Sequence, residues 1–302
     1  MRVVTVAKVV GGEWFDRMED GIREFAQETG CDSSMTGADD ISSEKQIRII
    51  EELIAQRPTA ITVVPNAPGA VEEVLKRAQD VGIVVVTHEA STQRNTDIDI
   101  EAFDNLAYGA HMMDDLAGRM REHGTFAAYL GHATSQTHVE WVRGALDRAR
   151  AYPGLRLAGD PIECYEKADV AYEHTRRLLA TVPDITGFLG TGSTDVVGIG
   201  RAIREAGLQG VVSVVGTSIP SMANEYLQDG SVKKIFFWDP ALAGKAQHRL
   251  ALMLAAGESI RPGTDLQIAG YRDLQPIAGS PHGYRGNAWV EVDATTASRY
   301  PF

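Results

Sequence analysis

The chain alternates short runs rich in valine and isoleucine with longer amphipathic stretches, and this order limits its possible folds more than any other feature. The β-rich runs span residues 3–7, 60–65, 83–87, 125–130, 185–190, 211–216 and 232–238. Apolar residues spaced three or four apart predict helices over 14–29, 43–56, 70–81, 105–121, 138–152, 168–179, 195–206 and 241–256. Such alternation indicates βαβ units, so we predict an α/β fold with parallel sheets.

Two segments interrupt this alternation and suggest a division into two lobes, which the length of 302 residues also favours. Residues 91–103 are polar and lack a helical period, so we expect a first crossing between lobes there. The tail after Gly257 is rich in glycine and proline and predicts a last crossing, followed by strands and loops on the second lobe. The predicted N-terminal lobe is 1–103 plus 239–265, the C-terminal lobe is 104–238 plus 266–302, and a ligand cleft lies between them.

Composition and charge exclude several classes of function. The formal net charge of −12 argues against a nucleic-acid partner, which would require a basic surface. Two distant cysteines exclude a disulfide scaffold and a cysteine-only metal site, and the histidines show no metal-binding spacing, so we expect no metal. Met1-Arg2 leads directly into the first strand without the features of a secretory signal, which leaves a cytoplasmic protein or a mature exported one.

Candidate binding residues follow the predicted strands, because ligands of parallel α/β sheets bind beyond the carboxyl ends of the strands. The same exits carry His88, His132, Ser135 and Asp195. Aromatic rings, neutral hydrogen-bonding groups, one lysine and few carboxylates suit a neutral polyhydroxylated ligand. The candidates are Lys8, Trp14, Phe15, Glu89, Gln136, Thr137, His138, Thr191, Ser193, Thr217, Ser218, Trp238 and Asp239.

Each of these residues also has a purely structural interpretation. Trp14 and Phe15 lie at the start of a predicted helix and can pack in the hydrophobic core. Lys8 can be an exposed charge at a strand end. Glu89 can cap the following turn. In the sequence Trp-Asp-Pro that begins at residue 238, the aspartate can cap a helix whose first residue is proline, a function compatible with ligand contact.

The chain lacks the common enzyme signatures. Gly190-Thr191-Gly192 follows a strand and precedes a helix, but the third glycine of a dinucleotide loop and the Gly-Lys-Ser/Thr of a phosphate loop are missing. No Gly-x-Ser-x-Gly sequence is present. No nucleophile, base and orienting group can be assembled, so we predict a binding protein without cofactor rather than an enzyme.

Six segments, in order along nearly the whole chain, carry a resemblance to a known family: KVVGGEWF from residue 8, MEDG from 18, AITVVPN from 60, VVVTHE from 84, VVGTSIP from 214 and FWDP from 237. Together they resemble the type I periplasmic sugar-binding proteins of ABC importers, and within them the branch of the autoinducer-2 and rhamnose receptors. The resemblance implies two Rossmann-like lobes joined by a three-crossing hinge, with a sugar held between them.

The resemblance also assigns roles to residues of the first lobe. The family's lysine at the first strand exit corresponds to Lys8, and its aromatic pair to Trp14 and Phe15. The family's strand-end aspartate, which binds sugar hydroxyls, corresponds to Glu89, one methylene longer.

In the second lobe the chain departs further from the family's pattern. The Asp-Gln pair of the autoinducer-2 receptor corresponds to Thr137 and His138, and its proline and alanine contacts to Thr191 and Ser193. The pentose receptors' aspartate corresponds to Ser218. These differences favour a related sugar, deoxysugar or polyol over autoinducer-2 itself.

Two functions from different classes remain. The first is an extracytoplasmic, periplasmic receptor that delivers a small neutral sugar to the membrane subunits of an ABC importer. The alternative is the effector-binding core of a LacI-type transcription regulator, which would need a helix-turn-helix segment before the first strand. Since the first strand begins at Val3, we expect no such segment.

Overall fold

The computed structural model describes residues 1–302, which form two units, each with its own sheet. Unit 1 comprises Met1–Asp104, Thr134–Gln136 and Trp238–Trp289. Unit 2 comprises Asn105–Ala133, Thr137–Phe237 and Val290–Phe302. The predicted α/β class with mostly parallel sheets is confirmed.

The elements follow one another largely as strand and helix in turn. The strands are β1 (Arg2–Ala7), β2 (Asp32–Gly37), β3 (Ala60–Val63), β4 (Val84–His88), β5 (Ile98–Glu101), β6 (His123–Leu130), β7 (Gly154–Leu157), β8 (Ile162–Glu163), β9 (Ile185–Gly190), β10 (Ser213–Thr217), β11 (Lys234–Phe237), β12 (Gln275–Pro276), β13 (Gly283–Arg285) and β14 (Val290–Val292). The helices are α1 (Glu13–Thr29), α2 (Ser43–Gln56), α3 (Pro68–Asp80), α4 (Asn105–Arg119), α5 (Gln136–Ala149), α6 (Ala168–Thr181), α7 (Asp195–Glu205), α8 (Pro220–Gln228) and α9 (Pro240–Ala255). None of the helices combines the length and hydropathy that crossing a membrane requires.

The sheet of unit 1 has the order β12-β13-β5-β4-β3-β1-β2. Val6 of β1 is aligned with Val63 of β3, and Val63 with Thr87 of β4. The three parallel strands therefore end side by side, and the residues that follow them lie at one edge of the sheet.

Helices cover both faces of this sheet. Val4 and Val6 belong to a core cluster with apolar residues of α2 and α3. Thr5, between them, is hydrogen-bonded through Oγ1 to Nε2 of His248 on α9 at 2.8 Å. Because alternate residues of a strand face opposite sides, α2 and α3 lie on one face and α9 on the other.

The helices α1 and α9 pack unusually closely at Gly21. A Cβ at this position would lie 2.1 Å from the carbonyl oxygen of Ala241. Only glycine allows this approach, which holds the start of α9 against α1.

The sheet of unit 2 has the order β14-β11-β10-β9-β6-β7, and β8 also pairs with β6. Its strands are parallel except β14, which runs antiparallel to β11. A Cβ at Gly109 of α4 would lie 2.0 Å from the carbonyl oxygen of Trp141 on α5, so these two helices are also in close contact.

The structure corrects the expected boundaries at four places. Residues 91–103 are not a crossing, because β5 pairs with β4 and unit 1 continues to Asp104. Residues 266–289 were expected in the second lobe, but β13 pairs with β5 and the segment belongs to unit 1. Thr134–Gln136 and Trp238 also lie in unit 1, whereas the predicted C-terminal lobe of 104–238 included them.

Candidate functional site

A buried ion pair occupies the carboxyl edge of the unit 1 sheet. Nζ of Lys8 lies 2.5 Å from Oε2 of Glu89, and the two residues are 7% and 5% exposed. Nζ also donates to Oγ of Ser135 at 3.2 Å. Lys8 and Glu89 follow β1 and β4, so their side chains meet at the carboxyl edge of the unit 1 sheet.

The backbone at Glu89 has a left-handed conformation, with φ of 60°. This conformation is unfavourable for a residue with a Cβ, and such residues are concentrated at functional sites. The chain bends at this residue directly after β4, where the carboxylate meets Lys8.

His88 contributes no charge to this edge. Its Nδ1 lies 2.5 Å from the carbonyl oxygen of Ile100 and must donate, because a carbonyl only accepts. Burial lowers the pKa of His88, reinforced by Lys8 and opposed by Glu89 and the bond to Ile100. His88 therefore adds no charge to that of the Lys8–Glu89 pair.

Aromatic rings gather around Trp238 at the same end of unit 1. The ring of Trp14 lies 4.7 Å from it, that of Phe103 5.4 Å and that of His88 6.0 Å, all edge to face. Trp289 packs against Phe103 at 5.8 Å. We name Trp14, Phe103, Trp238 and Trp289 the aromatic cluster.

Two members of the aromatic cluster were not predicted, and one predicted aromatic residue lies outside it. Phe103 and Trp289 were not predicted, because neither follows a strand that the hydrophobic pattern showed. Phe15 was predicted, and it is buried on α1 but takes no part in these ring contacts.

Asp239 is engaged by protein groups. Arg17 of α1 donates to it twice, from Nε to Oδ1 at 2.9 Å and from Nη2 to Oδ2 at 2.8 Å. Oδ1 also accepts from the N–H of Ala241 and caps α9. The predicted capping role of Asp239 is therefore observed, while its predicted ligand contact stays a prediction.

The short segment Thr134–Gln136 completes the edge of unit 1. Oε1 of Gln136 accepts from the backbone N–H and Oγ1 of Thr92, at 3.2 and 2.6 Å. Its Nε2 donates to Oγ of Ser91 at 2.7 Å. Gln136, a predicted binding residue, thus lies with the loop that follows Glu89.

The remaining predicted residues follow strands of unit 2 or begin α5, and most are bonded within that unit. Thr191 Oγ1 donates to the carbonyl of Tyr129 at 3.0 Å, and Ser218 Oγ to that of Ser193 at 2.8 Å. Thr217 Oγ1 lies 3.0 Å from the hydroxyl of Tyr108. Thr137 is fully buried at the start of α5. Their roles as ligand contacts stay predictions.

His138 lies beside Glu166, a residue that the sequence pattern does not connect with it. Its Nε2 lies 3.5 Å from Oε1 of Glu166, and its Nδ1 accepts from the N–H of His132 at 3.3 Å. Asp195, the first residue of α7, is fully buried. Its burial and the charge of Glu166 raise the pKa of Asp195 well above the ordinary value. Glu166 escaped prediction because it follows β8, a strand of two residues without a hydrophobic pattern.

No group of three or more histidine, cysteine, aspartate or glutamate side chains in residues 1–302 is placed to hold a metal ion.

Comparison with known proteins places the chain among binding proteins. It is similar to the D-ribose/D-allose-binding protein of Pseudomonas aeruginosa, with 23% identity over 240 residues, covering 76% of this chain and 75% of the relative. The structure resembles LsrB from Clostridium saccharobutylicum in complex with AI-2, with a TM-score of 0.89, 18% identity and 100% coverage of both chains.

A second solved structure shows the same fold. An ABC transporter solute binding protein from Clostridium phytofermentas with bound L-rhamnose has a TM-score of 0.88 and 18% identity, covering 99% of this chain and 97% of its own. The family model described as periplasmic binding protein domain matches residues 3–259. The resemblance drawn from the sequence motifs is thereby confirmed, and the chain belongs to the family of periplasmic binding protein domains.

Proposed function

We propose that this chain is the sugar-binding component of an ABC importer, and that its ligand is a neutral sugar, deoxysugar or polyol. The observation that carries the proposal is the buried pair of Lys8 and Glu89 at the carboxyl edge of unit 1. A carboxylate accepts hydroxyl hydrogen bonds and an ammonium group donates to sugar oxygens, and charge-assisted bonds of this kind are about twice as strong as neutral ones.

The charges at this edge favour an uncharged ligand. Lys8 and Glu89 compensate each other at 2.5 Å, and burial disfavours the charged form of His88. Arg17 of α1 is held by two bonds to Asp239. A phosphate or an amino acid would bring charge to an edge whose cations already have carboxylate partners.

The aromatic cluster suits the apolar faces of a sugar ring. Trp14 and Trp238 meet edge to face at 4.7 Å and offer flat surfaces to C–H groups. In unit 2, Thr137, His138, Thr191, Ser193, Thr217 and Ser218 remain candidates for ligand contact.

The relatives support the ligand class. The names of three similar proteins refer to D-ribose and D-allose, AI-2 and L-rhamnose. These proteins bind different compounds, so they support a small sugar-like ligand without selecting one. They are binding proteins, in agreement with the prediction that this chain is not an enzyme, and they do not favour the transcription-regulator alternative.

Thermal unfolding in the presence of candidate ligands tests the proposal. We expect stabilisation by at least one of D-ribose, D-allose, L-rhamnose and AI-2, whereas D-ribose 5-phosphate and L-leucine leave Tm unchanged. A ligand at 100 times its Kd adds about 2.7 kcal/mol to the free energy of unfolding, which shifts Tm by several degrees. Stabilisation by the phosphate or the amino acid alone would overturn the proposal.

The proposed place of action is outside the cytoplasmic membrane, where the protein hands its ligand to the importer's membrane subunits. The family and the solute binding relative of an ABC transporter support this. Fractionation of the source cells provides the test: we expect the protein in the periplasmic or extracytoplasmic fraction, and recovery with the cytosol would contradict the proposed location.

A further inference from the structure

Asn66 is a buried polar residue for which the fold provides no partner. It is 3% exposed, and neither its Oδ1 nor its Nδ2 forms a hydrogen bond with any group of the chain. Buried amides in folded proteins nearly always have partners, because an unpaired donor or acceptor destabilises the fold. An amide kept in this state needs another explanation.

The local structure excludes the usual roles of an asparagine at this place. Asn66 lies just before α3, whose N-cap is Ala67, and no side chain caps that helix. The side chain also forms no bond to the backbone of the adjacent turn, as an Asx turn would require. The side chain of Asn66 therefore neither caps the helix nor stabilises a turn.

The sheet places Asn66 at the edge occupied by the ion pair. It lies three residues beyond Val63, the last residue of β3, and β3 lies between β1 and β4. Lys8 leaves β1 and Glu89 leaves β4, and their side chains meet across the exit of β3. The residues that follow β3 therefore lie between the points at which Lys8 and Glu89 leave the sheet.

Gln46 of α2 fixes the backbone at this exit. Its Nε2 donates to the carbonyl oxygens of Ala7 at 3.2 Å and Val64 at 2.9 Å, and its Oε1 accepts from the N–H of Asn66 at 3.0 Å. Gln46 is itself fully buried. One amide thus joins the ends of β1 and β3, so the backbone of Asn66 is held while its side chain has no partner.

We infer that Asn66 is a specificity-determining residue that hydrogen-bonds the sugar, with Nδ2 donating to one hydroxyl and Oδ1 accepting from its neighbour. The ligand is then a sugar or polyol with two adjacent hydroxyl groups. A carboxylate such as Glu89 only accepts, whereas an amide both donates and accepts and thereby distinguishes a diol from a deoxy compound. This inference rests on the proposed function.

Two alanine variants test it. Asn95 is the matched control, because its Nδ2 donates to Oε2 and the carbonyl oxygen of Glu72, at 2.7 and 3.1 Å. We expect Asn66→Ala to bind at least about tenfold more weakly while Tm without ligand is unchanged or higher. Asn95→Ala should show the opposite pattern, a lower Tm and unchanged affinity. Calorimetric titration with D-ribose, D-allose, L-rhamnose and AI-2 supplies the affinities.

Monodeoxy derivatives of the sugar that binds provide a second measurement, independent of the variant's stability. For the wild-type chain, one of these derivatives should bind more weakly than the parent sugar by about the factor that Asn66→Ala loses. For Asn66→Ala, the same derivative should bind as well as the parent sugar, because the effects of two groups that contact each other are not additive. If none of the four compounds binds the wild-type chain, the proposed function and this inference both fail. If one binds and Asn66→Ala retains its affinity within about twofold, only this inference is overturned. A fall in Tm like that of Asn95→Ala with unchanged affinity would overturn it as well.

Discussion

The side chains of Lys8 and Glu89 meet at 2.5 Å although their strands, β1 and β4, are separated in the sheet by β3. Both residues are buried, so each charge depends on the other for compensation. This dependence makes the pair part of the fold as well as a candidate contact for the ligand.

We predict that Glu89→Gln weakens sugar binding by about 10- to 100-fold, because the amide replaces an acceptor by a donor and leaves one hydroxyl unpaired. The substitution also removes the counter-charge of Lys8, so the free energy of unfolding without ligand should fall by about 1–3 kcal/mol. Calorimetric titration and urea unfolding measure the two effects.

The double variant Lys8→Met/Glu89→Gln separates stability from binding. Replacing both members of a buried ion pair by neutral groups costs much less stability than leaving one charge alone. We expect the double variant to regain stability relative to Glu89→Gln while sugar binding stays weak. Restored affinity would show that the pair serves only the fold.

Trp238 is the centre of the aromatic cluster, and we predict that Trp238→Ala weakens sugar binding by about 2–4 kcal/mol. Phe126→Leu is the control, because Phe126 is also a buried aromatic residue but lies in β6 of unit 2, away from the strand exits. It should lower Tm without changing affinity. Circular dichroism confirms folding, and unchanged affinity in folded Trp238→Ala would assign the ring to core packing.

Asp239 forms an ion pair with Arg17 and also caps α9, and two substitutions separate the contributions of these interactions to stability. Asp239→Asn keeps a capping oxygen but loses the charge that holds Arg17, whereas Asp239→Ala loses both. We expect Asp239→Ala to be less stable than Asp239→Asn by about 0.5–2 kcal/mol, the usual contribution of an N-cap. Chemical denaturation measures this difference; equal stabilities would mean that the cap contributes nothing.

The stability of unit 1 should depend on pH through His248, which accepts or donates hydrogen bonds with Thr5 and Ser33 in the interior. Burial lowers its pKa to about 3. In the unfolded chain this histidine has an ordinary pKa near 6.5. Between about pH 6.5 and 3 it therefore binds a proton in the unfolded chain but not in the folded chain. Stability is greatest above about pH 6.5 and falls as the pH decreases towards 3.

Urea unfolding between pH 7 and pH 4 checks this dependence against His248→Gln. In that interval the wild-type free energy of unfolding should decrease more steeply than that of the variant, by about 1.4 kcal/mol per pH unit. Parallel curves would show that His248 does not titrate on unfolding.

The central strands could be predicted because they are buried on both faces. In β1, β3 and β4 nearly every residue is apolar or threonine, which the hydrophobic pattern detects. The strand β2 was missed because its sequence, DSSMTG, is polar and partly exposed. The strand β5 was missed because its two acidic residues, Asp99 and Glu101, are buried among apolar neighbours.

The site was predictable only where it depends on strand exits. Lys8 and Glu89 each follow a clear strand, and their meeting follows from the order of parallel strands. The contact of Phe103 with Trp289 joins distant parts of the chain, and no local pattern encodes it. That the side-chain amide of Asn66 lacks a hydrogen-bond partner can likewise be recognised only in the three-dimensional structure, which gives the position of every possible partner.

The two ends of the unit 1 sheet give the protein a safeguard against self-association. One edge strand, β2, consists of small and polar residues apart from Met35, and the other, β12, is two residues long and contains Pro276, which has no N–H to donate. Both features disfavour the addition of a strand from another molecule to this sheet. The polar character that hid β2 from the hydrophobic pattern thus also protects one edge of the sheet.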